Sequence, residues 1–378
     1  MKITTIIRAS IFSALLIFVP LFFTGCQDII YAKIMNEVTL DDATISGRVN
    51  SIVRFSNNIY IQNGNVYYKA ASSASHDTWN KYTGGLSPLS YDYYAKVFNG
   101  MQIIKLAADS QYLYALGAEY KENENDGENP PSSINLYYSN GAGSSWKKIA
   151  SYSYSSSSDI TIFCTNTPNS EYRKAYLRIS SGDNKGVYLL NGGTLNTTPT
   201  DSSATSACSA IYDYASGNVY FNNNWATGSN ATTSTTSSST VYYYYADDDI
   251  LYYSTDPSFD TSNPTYGHSD LGITNIISMA VTSNAILLGT NGGGLYKVSN
   301  TTGVPGSSTE TFSTNADSAL GSPYRILAML SVDPSATETG ATIYASADFT
   351  GTSSSSTGDY SDIGLWSYYA GRGNWNRE

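Results

Sequence analysis

The chain has 378 residues and a formal net charge of −11, with 20 Lys and Arg against 31 Asp and Glu. This acidic balance excludes general nucleic-acid binding and broad attraction to anionic lipid, which both need clustered cations. The 34 tyrosines, the abundant Ser, Thr, Asn and Gly, and the absence of long helix-period stretches point to an all-β protein.

At the amino end, Lys2 and Arg8 give a short basic start, Ala9 to Phe23 an apolar run, and Phe23 to Cys26 the sequence "FTGC". This is the layout of a secretory signal, and the run is too short for a spanning helix. The "TGC" ending resembles a bacterial lipobox, with Phe23 where Leu is usual. The resemblance implies a lipoprotein signal peptide over 1–25, lipidation of Cys26 and a tether over 26–43. Two or more acyl chains anchor a protein stably where one does not. Gln27 stands in place of the Asp that retains some lipoproteins at the inner membrane, which by analogy indicates the outer membrane. The remaining cysteines, Cys164 and Cys208, lie in an export compartment, where a disulfide persists. They read equally as a bridge or as two buried thiols. No CxxC pair occurs, so neither a metal nor a cofactor is expected.

From about residue 44 the chain repeats itself. The first unit carries "NSIVRFSNNIYIQNG" from Asn50 and "NVYYKA" from Asn65; the second, "QIIKLAADSQYLYALG" from Gln102 and "INLYYS" from Ile134. The third carries "ITIFC" from Ile160 and "GVYLLN" from Gly186; the fourth, "CSAIYDYASGNVYF" from Cys208 and "DILYYS" from Asp249. The fifth carries "IISMAV" from Ile276 and "GLYKVS" from Gly294; the sixth, "RILAML" from Arg325 and "GLWSYY" from Gly364. Each unit reads as an apolar strand, a short polar turn, an apolar-aromatic strand, a gap and a third strand led by Gly, Asn or Asp. A fourth strand often carries an aromatic, as at Trp79, Trp146 and Trp375. Polar insertions at 121–133, 225–241 and 350–362 precede the third strand of their units and belong on the surface. Sheets of this kind bury their faces against one another around an axis. The expected fold is therefore a six-bladed β-propeller of four-stranded antiparallel sheets, with blades at 44–98, 99–155, 156–204, 205–271, 272–320 and 321–378.

A turn motif supports this phase. In "LYYSNGAGSSW", Ser139, Gly143, Ser145 and Trp146 match Ser-x-Asp-x-Gly-x-Thr-Trp, with Gly141 at the Asp position. Partial copies occur at Ser72, Thr78 and Trp79, at Ser254 and Asp256, and at Ser299 and Gly303. The set resembles the Asp-box propellers, the sialidase and sortilin type. The resemblance implies a structural turn between the third and fourth strands, away from any ligand face. Loss of the Asp at Gly141 is expected only to loosen that bend.

Catalytic signals are weak. A sialidase needs three converging arginines, and Arg48, Arg54, Arg173, Arg178, Arg325, Arg372 and Arg377 give no defensible triad. His76 and His268 sit in polar turns, "NGGG" at Asn291 to Gly294 reads as a hairpin, and Asp247 to Asp249 reads as a solvated turn. The expectation is a lipid-anchored, non-catalytic envelope protein that binds a protein or glycan through propeller face and loops. A carbohydrate-active enzyme and a subunit of an outer-membrane assembly machine are the alternatives.

Overall fold

A computed structural model describes residues 45, 47–74, 79–92, 97–120, 131–154, 159–165, 170–207, 209–221, 232–235, 241–273, 275–300, 302–312, 320–349 and 363–378. Strands β1 (Ile52–Phe55), β2 (Asn58–Asn63), β3 (Asn65–Ala70) and β4 (Asn80–Lys81) form the first sheet. A five-stranded second sheet follows: β5 (Ser90–Asp92), β6 (Val97–Ala108), β7 (Leu113–Tyr120), β8 (Ser133–Ser139) and β9 (Lys147–Ser153). The third contains β10 (Ile160–Cys164), β11 (Ala175–Ile179), β12 (Gly186–Asn191) and β13 (Thr194–Leu195). Then comes a two-stranded sheet of β14 (Ala210–Tyr212) and β15 (Val219–Phe221).

Three more four-stranded sheets complete the chain. One holds β16 (Thr232–Thr235), β17 (Val241–Asp247), β18 (Ile250–Ser254) and β19 (Gly267–Asp270). The next holds β20 (Ile276–Val281), β21 (Ala285–Thr290), β22 (Leu295–Ser299) and β23 (Thr309–Thr311). The last holds β24 (Arg325–Ser331), β25 (Ile343–Asp348), β26 (Gly364–Tyr368) and β27 (Trp375–Arg377). Among the described residues the seven sheets are antiparallel meanders in chain order; β6 lies beside β1 and β10, and β14, β16, β20, β24 and β1 lie side by side in turn.

Among the described residues these sheets divide one of the six expected units. The segment 205–271 contains two sheets, β14–β15 and β16–β19. Its first hairpin and its later Tyr-rich strands read together as one blade because the polar stretch between them resembles the insertions of other units. Pairing shows otherwise: Thr232–Thr235 supplies a first strand of its own to the later set.

The core consists of the faces between neighbouring sheets. One cluster joins the first and second sheets through Val53, Tyr60, Val66, Ile103, Leu106 and Trp146. Another joins the last two through Leu287, Leu295, Ile326, Ile343 and Trp375. A third closes the circle, with Ile45, Val49, Ile59 and Trp79 from the beginning of the chain against Val332, Tyr344 and Leu365 from its last sheet. The Ile45 N–H donates to the Glu378 carbonyl at 2.9 Å. First sheet meeting last in this way makes the fold a β-propeller.

An ion pair lies inside the closing interface. Lys69 of β3 and the Glu378 carboxylate are paired and wholly buried. Glu378 also accepts hydrogen bonds from the Trp79 indole, Ser367 and Tyr369. Lys69 donates to Tyr369 Oη at 2.6 Å, and its ammonium lies 4.8 Å from the Trp79 ring centroid and 5.2 Å from that of Tyr344. A buried charge is tolerated only when paired and hydrogen-bonded, and this pair meets both conditions.

Two predictions follow from burial. Lys69→Ala should cost about 3–5 kcal/mol in denaturant unfolding, because Glu378 is left charged and dry, whereas Lys69→Met with Glu378→Leu should cost much less. Burial also pushes the phenols of Tyr152 and Tyr243 up to about 12. Their folded values exceed the unfolded value of about 10, so their contribution to stability is complete below pH ~10 and disappears as pH rises through ~12. Phenolate absorbance and denaturant midpoints measured from pH 9 to 12 check this, and Tyr243→Phe should remove one late-titrating group.

Candidate functional site

The sequence-marked turns are built as inter-sheet clasps. The turn from Ser139 to Trp146 connects β8 to β9. The buried Ser139 Oγ accepts the Gly141 N–H at 3.1 Å, and Ser144 N–H donates to the Gly141 carbonyl at 3.0 Å. Across the sheet boundary, Tyr60 Oη accepts the Ala142 N–H at 2.8 Å. Trp146 is buried beside Tyr82 of the first sheet, with ring centroids 5.3 Å apart. Gly143 has φ +87° in open space, and Ser145 is exposed.

Gly141 overturns the expected loose bend. Its φ is +94°, and a Cβ there would lie 2.8 Å from Tyr60 Oη and 3.1 Å from the Phe55 ring. Packing against the neighbouring sheet requires glycine, so the Asp of the full motif has no space.

The copy at Ser254 repeats the hydrogen bonds. The Asp256 N–H donates to Ser254 Oγ at 3.0 Å, and the Phe259 N–H to the Asp256 carbonyl at 3.1 Å. At Ser299 the serine is exposed, and Gly306 N–H donates to its carbonyl. Gly303 takes φ +85° against the Tyr242 ring, and its carbonyl accepts from Tyr244 Oη at 2.7 Å. In the first sheet Ser72 is exposed, Trp79 is buried at the closing interface, and Thr78 lies outside the described residues.

Sequence reasoning missed the other half of the clasp. A buried tyrosine on β2, β7, β17 or β25 meets the turn before the last strand of a neighbouring sheet. Tyr60 and Tyr244 do so as above. Tyr114 of β7 accepts the Gly192 N–H at 2.8 Å, and Tyr344 of β25 packs 6.0 Å from Trp79. The signal was a Tyr within each of "NIYIQN", "LYALG" and "IYASAD".

The remaining candidates separate. Cys26, Cys208 and His76 lie outside the described residues, while Cys164 is a half-buried free thiol. Arg48 and Arg325 converge on the buried Asp348. Arg54 donates to the Val332 carbonyl and Arg173 to the Arg54 carbonyl. Burial, together with the like charge of Arg54, pushes the Arg173 guanidinium down. Arg178 reaches the Ser206 and Ala207 carbonyls, and Arg372 and Arg377 lie over Tyr369 and Trp366. The glycines at Asn291–Gly294 form the β21–β22 hairpin, and Asp248 caps the Asn275 N–H at 2.9 Å. No three His, Cys, Asp or Glu side chains gather as a metal site among the described residues.

A largely half-buried aromatic group surrounds the short sheet. Tyr172 ends a 3-10 turn between β10 and β11 and is 37% exposed. Its ring stacks on Tyr212 at the end of β14, with centroids 5.2 Å apart and planes at 19°. Tyr214 meets both edge-on at 5.4 Å. Lys174 Nζ lies 5.3 Å from the Tyr212 ring. Asp213 fixes the turn by accepting the Ala215 N–H at 2.9 Å and the Ser216 hydroxyl. On the far side of the short sheet, Tyr245 and Tyr252 stack at 4.4 Å, and His268 lies 5.9 Å from Tyr252. Rigid rings with hydroxyl tips beside a cation suit recognition by stacking and hydrogen bonding.

The chain matches no protein-family model, and no curated protein matches it. Among solved structures it is similar to YCF48 from Cyanidioschyzon merolae, at 13% identity and TM-score 0.34 over 89% of this chain and 86% of that one. It is also similar to a protein of unknown function from Bacteroides thetaiotaomicron, at 11% identity and TM-score 0.40, over 88% and 73%. PorZ, a surface component of the type-IX secretion system of Porphyromonas gingivalis, is similar at 12% identity and TM-score 0.33, over 89% of this chain and 39% of PorZ. Likenesses at these scores carry no functional argument; the fold rests on the sheets themselves.

Restoring the motif's acid should harm the protein. Gly141→Asp is expected to lose about 2–4 kcal/mol in denaturant unfolding, from left-handed strain plus the clash with Tyr60. Gly143→Ala, strained but unobstructed, should lose only about 1 kcal/mol.

Proposed function

We propose that the protein is a lipid-anchored, non-catalytic binding or scaffold protein of a bacterial envelope that recognises a protein or glycan through its propeller face and loops. The observation that carries this reading is the surface trio of exposed Tyr172 and half-buried Tyr212 and Tyr214, with Lys174. It holds rigid aromatic area at the surface. Arginines that a carboxylate-binding hydrolase would need are instead engaged with Asp348 and with backbone carbonyls. In this reading Cys26 carries the anchor, the address is the outer membrane, and the ring has seven blades, one of them the short β14–β15 sheet.

Capture tests the reading. The full chain is cross-linked in envelopes and its partners are recovered, with a panel of oligosaccharides assayed in parallel. Tyr172→Ala with Tyr212→Ala should lower capture at least about tenfold while the circular dichroism is unchanged. Cys26→Ser should move the protein out of the membrane fraction. Capture unaffected by the tyrosine changes, or turnover of a glycoside in the panel, would overturn the reading.

A further inference from the structure

Among the described residues β15 pairs with β14 alone, in the register Ala210 to Phe221, Ile211 to Tyr220 and Tyr212 to Val219, which leaves the other edge of the short sheet open. Asp213 N–H donates to the Asn218 carbonyl at 2.9 Å. Bonded and non-bonded pairs alternate in an antiparallel ladder, so Ile211 and Tyr220 are bonded, and Val219 and Phe221 direct their N–H and C=O away from β14. Among the described residues nothing meets them. The edge carries none of the usual protections, for "VYF" contains no Lys, Pro or bulge.

Two walls flank this edge. On one side Phe221 packs edge-on against Tyr176 at 4.9 Å, and Leu189 packs nearby. On the other side stands the face of β17–β19 that carries Tyr243, Tyr245 and Tyr252. The opposite face of those strands, with Tyr244, Ala246 and Leu251, packs on the next sheet. Tyr243 packs on Ile211 of the short sheet, and Tyr252 and His268 are paired on β18 and β19, the strands that follow β17 in its sheet. By strand alternation Asp247 and Asp270 share that face, and no Lys or Arg does.

We propose that β15 accepts an extended, lysine- or arginine-bearing segment of a protein partner as a third strand. Main-chain bonds to Val219 and Phe221 would supply affinity, and the Asp247 and Asp270 wall would select cationic side chains. The proposal rests on the binding reading above but uses a surface separate from Tyr172.

The probe is the fluorescein-labelled peptide (Lys-Val)5, with (Glu-Val)5 as the charge control, titrated into the full chain in detergent. Binding of (Lys-Val)5 at least tenfold tighter than (Glu-Val)5 is expected, with slowed hydrogen exchange at the Val219 and Phe221 amides. Val219→Pro removes an outward N–H and leaves the β14 pairing, so it should abolish binding. Asp247→Asn with Asp270→Asn should weaken binding at least tenfold and guards against misfolding of the proline variant. Equal binding of both peptides, unchanged exchange at the two amides, or binding insensitive to both sets of variants would overturn the proposal. So would protection of these amides that tracks a doubled mass of the protein alone, since the occupant would then be a second copy. Loss of the peptide result with Tyr172-dependent capture intact would overturn this inference only.

Discussion

A ring of sheets holds only if its first and last members meet, and in this chain they meet around a buried charge. Lys69 and Glu378 are about three hundred positions apart in the chain, as their hydrogen bond records. Desolvating them is costly, and the pair survives because Trp79, Ser367 and Tyr369 satisfy the carboxylate while three rings surround the ammonium. An apolar seam could close in several registers. A carboxylate with this set of donors favours one.

The tyrosine clasps repeat the same logic with neutral groups. A phenol is wide enough to cover a sheet face and carries one polar atom that must find a partner. Placed on β2, β7 or β17, it finds that partner in the turn of a neighbouring sheet, which fixes the rotation between neighbours. This explains why the turn motif decays so freely. Ser139 and Ser254 keep the local bend and Gly303 keeps only its backbone shape, while at Gly141 and Gly303 a neighbour's ring limits what the turn can hold.

Much of the architecture was legible because strands and turns are local. Alternating aromatics, the Gly- and Asn-led third strands and the recurring Ser-to-Trp turn marked the sheets and their order. The division at 205–271 was not legible, since which strand pairs with Thr232–Thr235 is a long-range matter that no local pattern encodes. The requirement for glycine at Gly141 was equally hidden, because it comes from Tyr60, some eighty residues earlier. The aromatic trio was visible only as scattered tyrosines in polar turns. Nothing in their spacing shows that Tyr172 and Tyr212 stack, or that β15 pairs with β14 alone among the described residues.

The hydrogen bond from Ile45 to Glu378 gives the molecule a mechanical direction. A pull applied at Ile45 acts on the same residue whose side chain seals the ring. Tension is therefore delivered to the seam between first and last sheets before it reaches any blade. Force applied at Ile45 would meet that interface first, and once it parted, the circle would open there.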